Sequence, residues 1–275
     1  MYFLRQVQFE DLELPEVLYK YRNWNNLLHR EILTKKEVYF APHKSFNEVH
    51  EHNLEYDVDS MTHERLLNYF LTAANELGIP EADREEFANF HLNNTPLFNP
   101  GHMETVKADM DRIFNETRGI LSLSPYKDSM TLWNMFANSC MGFVVGLDSN
   151  FMFKEGYMQC MAGYVEYYEE DNPPKLNMTT TTDEERIIEA LKRIYSLPKR
   201  FEDEKEFRLS RTLFDGNRKF KIEQEMYKEI ILGHFMTEES KDEIIKLAKK
   251  FDNCIVLQQV IDHDHDSISF EKVDL

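Results

Sequence analysis

The chain has 275 residues and carries 32 basic against 50 acidic side chains, a formal net charge of −18. Apolar residues at 42% and aromatics at 13% suffice for a sizeable core and exclude global disorder. The acidic balance excludes a general nucleic-acid-coating protein, which would be basic, though it leaves room for a local basic groove. Nine glycines, about half the usual share of roughly 7%, make poor material for a glycine-rich phosphate loop.

Leu18–Arg22 alternates and is aromatic-rich, which predicts a strand. Asn25–Thr34 places Leu27, Leu28, Ile32 and Leu33 at helical spacing, and Val38–Phe40 reads as a second short strand ended by Ala41-Pro42. A polar loop, His43–Asp59, follows. From Met61 to Glu116 the pattern is helical, broken at Leu77-Gly78-Ile79-Pro80. Gly119–Ser124 predicts a buried strand, Ser129–Cys140 a helix, and the apolar run Gly142–Leu147 a central strand. Gly156–Tyr168 alternates and predicts one long strand. Thr182–Glu185 fits a capping box that opens a helix to Tyr195. Glu206–Leu213 and Arg218–Glu223 suggest a hairpin around Asp215-Gly216-Asn217. Ile230–Leu232 reads as a strand, Thr237–Phe251 as a helix and Ile255–Ile261 as a last strand.

This order predicts an α+β domain over residues 1–275. Its central sheet is mixed or antiparallel with flanking helices, and it carries an acidic helical insertion at 60–117. Three cysteines with no CxxC pair point to a reduced chain without a disulfide framework. The first residues lack a long apolar stretch, and no window of about 18 uncharged apolar residues occurs. The expected location is therefore cytoplasmic, away from membranes.

No Walker loop, GxGxxG, HExxH or GxSxG is present. In Asp262–Asp266, extended backbone would put His263 and His265 on one face, which could start a transition-metal site; the plain alternative is a solvated acidic tail, and no metal is expected. His50 and His52 raise the same question in a polar loop. The richest stretch is Lys199–Arg211. Read as a strand, it projects Glu202, Glu204 and Glu206 to one side, and Arg208 continues that row. Carboxylates beside a guanidinium are costly to bury without purpose. A solvated edge strand with cross-strand ion pairs competes with a cleft carboxylate that stabilises a cationic transition state. Arg22 ends the first strand. Ser122 and Ser124 share one face of the middle strand. Trp133 and Phe136, on the next helix, read as core. The close pair Gly142 and Gly146 reads as tight packing in a sheet.

The segments Leu18–Arg22 (LYKYR), Ile32–Phe46 with Asn47, Leu121–Ser124 (LSLS), Leu132–Asp148, Glu204–Leu209 (EKEFRL) and Glu229–Gly233 run in one order. In that order the chain resembles the bacterial family called domain of unknown function 2971, whose members recur in phage-defence neighbourhoods and include abortive-infection proteins. It departs from that pattern after Phe46-Asn47, where Glu48 follows instead of Asp-Pro, and at Phe136, where a tyrosine is usual. A second resemblance lies in the order of arginine, S-x-S and E-x-E on successive strands, which is similar to arginine-specific ADP-ribosyltransferases. That resemblance implies NAD as cofactor and a macromolecular acceptor. It implies that Arg22 binds the phosphates or nicotinamide ribose, that Ser122 orders the nicotinamide pocket with Ser124 in support, and that Glu206 stabilises the oxocarbenium-like transition state. Glu204 would orient the acceptor, Tyr21 and Phe46 would stack on nicotinamide or adenine, and Arg208 joins the cofactor-binding set.

Two other readings stand beside it. One is a non-catalytic interaction or sensor module of a defence system with a protein partner. The other is a metal-dependent nuclease built from Glu204, Glu206, Asp148 and the C-terminal histidines. Charge is uneven along the chain: residues 48–116 hold 15 acids and 4 bases, whereas residues 199–221 hold 8 bases and 5 acids. The E-x-E segment therefore lies in a locally basic stretch that suits an anion.

Overall fold

A computed structural model describes residues 14–46, 54–94, 100–154, 158, 160–262 and 267–274. The chain is α+β and divides into two compact units. One comprises the described residues within 43–117 and 166–199; the other comprises those within 14–42, 118–165 and 200–274.

The first unit holds three consecutive helices, α2 (His63–Glu76), α3 (Glu81–Asn94) and α4 (Pro100–Thr117), within the predicted insertion. The Thr62 hydroxyl accepts from the Arg65 N–H and starts α2. Leu66, Phe70 and Ala88 seal α2 against α3. Later in the chain come strand β6 (Glu166–Tyr168), helix α7 (Asp183–Tyr195) and strand β7 (Ser196–Pro198), which pairs parallel with β6. The capping box at Thr182 and Glu185 is formed as its sequence predicts. Arg193 knits this unit together: it forms an ion pair with Asp111 at 2.9 Å and its guanidinium lies over the Phe114 ring.

The second unit contains strand β1 (Val17–Arg22), helix α1 (Leu27–Thr34), β2 (Glu37–Tyr39), β3 (Arg118–Leu123), helix α5 (Met130–Phe136), β4 (Phe143–Asp148), the single turn α6 (Ser149–Met152) and β5 (Met161–Tyr164). It continues with β8 (Phe207–Thr212), β9 (Lys219–Lys221), β10 (Tyr227–Leu232), helix α8 (Glu238–Ala248), β11 (Ile255–Asp262) and β12 (Ser267–Lys272). A mixed five-stranded sheet runs in the order β1-β4-β10-β11-β12, and an antiparallel three-stranded sheet in the order β3-β8-β5. Leu18, Phe143, Val145 and Ile230 of the larger sheet share one core with Leu121, Leu123, Phe207 and Leu209 of the smaller. At about 25 cal/mol per Å² of apolar surface removed from water, that shared core is the main force holding the two sheets together.

Several expectations need correction. The anticipated hairpin is absent, because β8 pairs with β3 and β5 whereas β9 pairs with β2. The stretch read as one strand over 156–168 contains two short strands in different units, β5 and β6. β12 had no counterpart in the pattern reading, since its six residues alternate without a strong apolar face. Among the described residues no helix is long and apolar enough to cross a membrane.

Candidate functional site

Two backbone bridges set the geometry of the middle of the second unit. Tyr19 and Ser124 exchange backbone hydrogen bonds of 2.7 and 3.0 Å, and Ala41 and Ile120 exchange two of 2.8 Å. β3 is thus held by β8 along one edge. Its other edge is held at one end by β1 and at the other by Ala41, just past β2. The three motifs are thereby linked across the two sheets: the strand of the arginine, β1, touches the S-x-S segment through the Tyr19–Ser124 bridge, and β3 pairs with β8, which Glu206 precedes.

Antiparallel backbone groups alternate between the two edges of a strand. Because Ile120 and Ser124 bond away from β8, the N–H and C=O of Ser122 also point away from it, into the fork between the two bridges. The Lys20 ammonium donates to that Ser122 carbonyl. The Ser122 N–H has no hydrogen-bond partner among the described residues.

The side chains of Ser122 and Arg208 sit opposite one another in the β3–β8 register. The Glu206 carboxylate lies 2.7 Å from Arg208, with side-chain exposures of 5% and 1%. Ser124 is buried; its hydroxyl lies 3.4 Å from the Lys205 carbonyl and accepts from the Tyr126 N–H, turning the chain after β3. The predicted carboxylate row does not form. Lys199–Glu204 is a 3-10 turn and Lys205 has a positive φ of 45°, so Glu202 and Glu204 leave the strand and only Glu206 and Arg208 share its side. Acidic, flexible residues without an apolar partner every second position have little to hold them in a ladder.

Alternation along β1 puts Lys20 and Arg22 on the side of Leu18, and Tyr19 and Tyr21 on the other. The Arg22 side chain makes no hydrogen bond or ion pair among the described residues, and loss of water pulls its guanidinium pKa down to about 10. Its backbone is gripped closely: a Cβ on Gly142 would run into the Arg22 carbonyl oxygen, so only glycine lets the turn after α5 pass. A Cβ on Gly146 would meet Val17 and Tyr19, the tight sheet packing its pattern predicts.

The Lys20 ammonium pKa is held well below the ordinary lysine value by desolvation, then by the Arg22 charge. Glu206 and Glu204 pull it the other way and Arg208 adds to the depression. The charges of Arg22, Glu204, Glu206 and Arg208 thus all bear on Lys20. It was passed over in the sequence, although its i, i+2 relation to Arg22 on a predicted strand already put both on one face. His29 of α1 was missed as well. Burial, followed by the Arg22 and Lys20 charges, holds its imidazole down to about 4, and its Nδ1 accepts from the Asn23 N–H at 3.2 Å.

Other candidates fall elsewhere. The Tyr21 ring packs edge-on against Trp133 at 5.5 Å, and its hydroxyl donates to the Tyr126 carbonyl; these contacts commit it to the core. Phe46 belongs to the other unit. Trp133 is fully buried, as expected, but Phe136 is exposed, because α5 ends there and turns its last residue outward. Asp148 caps α6 and pairs with Lys228 at 2.9 Å. His50, His52, His263 and His265 lie outside the described residues, among which no group of three or more His, Cys, Asp or Glu is arranged to hold a metal. No family model, curated protein or solved structure matches the chain.

Proposed function

We propose that the chain is an ADP-ribosyltransferase-like enzyme. It takes NAD and transfers the ADP-ribosyl group to a macromolecular acceptor, as a phage-defence effector of the domain of unknown function 2971 kind. One observation carries this reading. Tyr19 of β1 bridges Ser124 at the end of β3, β3 pairs with β8, and Glu206 immediately precedes β8, while the charges of Arg22 and Glu206 both bear on Lys20.

In the reaction the bond between nicotinamide nitrogen and ribose C1′ breaks, and its electron pair leaves with neutral nicotinamide. Positive charge then spreads over C1′ and the ring oxygen. Glu206, ion-paired with Arg208 at 2.7 Å, supplies the carboxylate for that charge; preorganised electrostatic groups are worth about 10²–10³ in rate. The acceptor nucleophile, oriented by Glu204, forms the new bond to C1′ and releases its proton to solvent. Arg22, unpaired among the described residues, takes a phosphate.

A second reading is favoured by the same buried ion pair. Glu206 and Arg208 then serve only to hold β8, and the chain is a non-catalytic interaction or sensor module. Incubation with NAD labelled in the adenylate, with candidate acceptors and wild type against Glu206→Gln, separates the two. The transferase reading expects label on an acceptor with wild type and its loss in the variant. Absence of both transfer and nicotinamide release from folded wild type leaves the second reading standing.

A further inference from the structure

We propose that the Cys140 thiol and the Met130 thioether form a binding site for a soft monovalent metal ion, Cu(I), with the Gln259 amide donating to the metal-bound thiolate. The site lies where α5 packs on the five-stranded sheet. It uses none of the residues assigned to NAD, so it stands or falls apart from the transferase reading.

The two sulfurs are 3.8 Å apart, and the Cys140 S–H is directed at the Met130 sulfur. Two metal–sulfur bonds of about 2.3 Å span that separation at an angle of about 110°. One ion therefore fits between them with little movement and keeps room for a third, solute ligand. Backbone contacts hold the cysteine in place. Its carbonyl accepts the Phe235 N–H at 2.9 Å, and its own N–H donates to the Trp133 carbonyl at 3.3 Å. A Cβ on Gly233 would strike the same Cys140 carbonyl, so only glycine lets that strand end pass. Cys140 is buried, whereas Met130 is exposed at the start of α5, so an ion enters over the thioether.

Gln259 points independently to a charged sulfur. It is fully buried, on the side of β11 that carries Leu257, and Leu257 packs in one cluster with Cys140 and Trp133. Its Oε1 accepts the His234 N–H at 3.1 Å, which fixes the amide and turns Nε2 the other way. Nε2 has no hydrogen-bond partner among the described residues. Burial pushes the Cys140 thiol up, and Gln259 pulls it the other way, toward the thiolate. A buried N–H beside a neutral thiol is poorly satisfied; beside a metal-bound thiolate it makes a charge-assisted hydrogen bond. Coordination deprotonates the thiol, and the proton passes to solvent. The donor set also selects the ion. Thiolate and thioether are soft ligands that suit Cu(I). A structural Zn(II) takes four ligands of the Cys, His or carboxylate kind, and no group of three such residues is so arranged among the described residues.

The test uses the full chain, reduced and free of oxygen, and Cu(I) supplied from the chromogenic chelator bicinchoninate. Folded wild type is expected to withdraw one equivalent of Cu(I), and X-ray absorption of the complex to show two protein sulfurs at about 2.3 Å from the copper. Losing a hydrogen-bonded outer partner costs about 10–100-fold in metal affinity, which is the loss expected of Gln259→Leu. Losing a ligand costs at least as much, so Cys140→Ser should weaken binding by about 100-fold or more and Met130→Leu by about tenfold or more. Met130→Leu keeps side-chain volume at an exposed position and so keeps the fold, which leaves a decisive variant even where a core substitution does not fold. A chelator that retains all its Cu(I) against folded wild type overturns the proposal. So does X-ray absorption without sulfur neighbours, or Met130→Leu or folded Cys140→Ser binding as tightly as wild type, because Cys160 or Cys254 would then be the ligand.

Discussion

The Glu206 carboxylate meets the Arg208 guanidinium at 2.7 Å with almost no exposure on either side chain. Removing one member leaves the other buried and uncompensated, which costs about 3–5 kcal/mol, whereas replacing both by apolar groups is often close to neutral. Chemical denaturation of Glu206→Gln, Arg208→Met and the double variant should therefore give singles several kcal/mol below wild type and a double well above their sum. A coupling energy below about 0.5 kcal/mol would contradict a desolvated pair.

Arg22 presents the opposite case. It is drawn out of water with no partner among the described residues, so its charge weakens the fold. Arg22→Met is expected to raise stability by up to about 1 kcal/mol, since partial exposure screens the penalty, while ligand binding falls. A loss of stability above about 1 kcal/mol would show that Arg22 is structural.

His29 makes stability depend on pH. Its folded pKa of about 4 lies below the ordinary value of 6.5, so between these pH values the unfolded chain binds more protons than the folded one. Stability attributable to His29 therefore rises from pH 4 to pH 6.5 and falls as the solution is acidified through that window. The change is about 2 kcal/mol after allowance for partial exposure. The stability difference between wild type and His29→Gln, measured across this range, should show that slope; a flat difference would mean that His29 titrates normally.

The turn after α5 stores backbone strain. Asn138, Ser139 and Cys140 all have positive φ, at 52°, 52° and 62°, where non-glycine residues pay a penalty. Ser139 is exposed, so Ser139→Gly relieves strain without opening the core and should stabilise by up to about 1 kcal/mol. Thermal unfolding reads this directly, and a lower melting temperature would count against it.

Much of the scaffold was legible because its signals are local. β1, β4, β10 and β11 follow from short apolar or alternating runs, and α7 from the Thr182–Glu185 box. The failures come from pairing, which no local pattern encodes. β8 and β9 read as a hairpin because both alternate around Asp215-Gly216-Asn217, yet longer-range partners with better apolar matches claim them: Leu121 and Leu123 face Leu209 and Phe207, and Val38 faces Phe220. The motif residues Arg22, Ser122, Glu206 and Arg208 were visible as residue types on strands. That β1, β3 and β8 are neighbours was not, because nearly 100 residues separate Arg22 from Ser122 in the chain. Lys20 and His29 matter through Arg22 and the fork, and those relations exist only after the strands have paired.

The central claim is that Glu206 stabilises positive charge on an NAD ribose. Nicotinamide release from NAD by folded wild type and by Glu206→Gln, with circular dichroism to confirm folding, tests it most directly. The account predicts measurable release by wild type and a fall of about 10²-fold or more in the variant. Equal rates in the two proteins, or no release from folded wild type with any acceptor supplied, would contradict it.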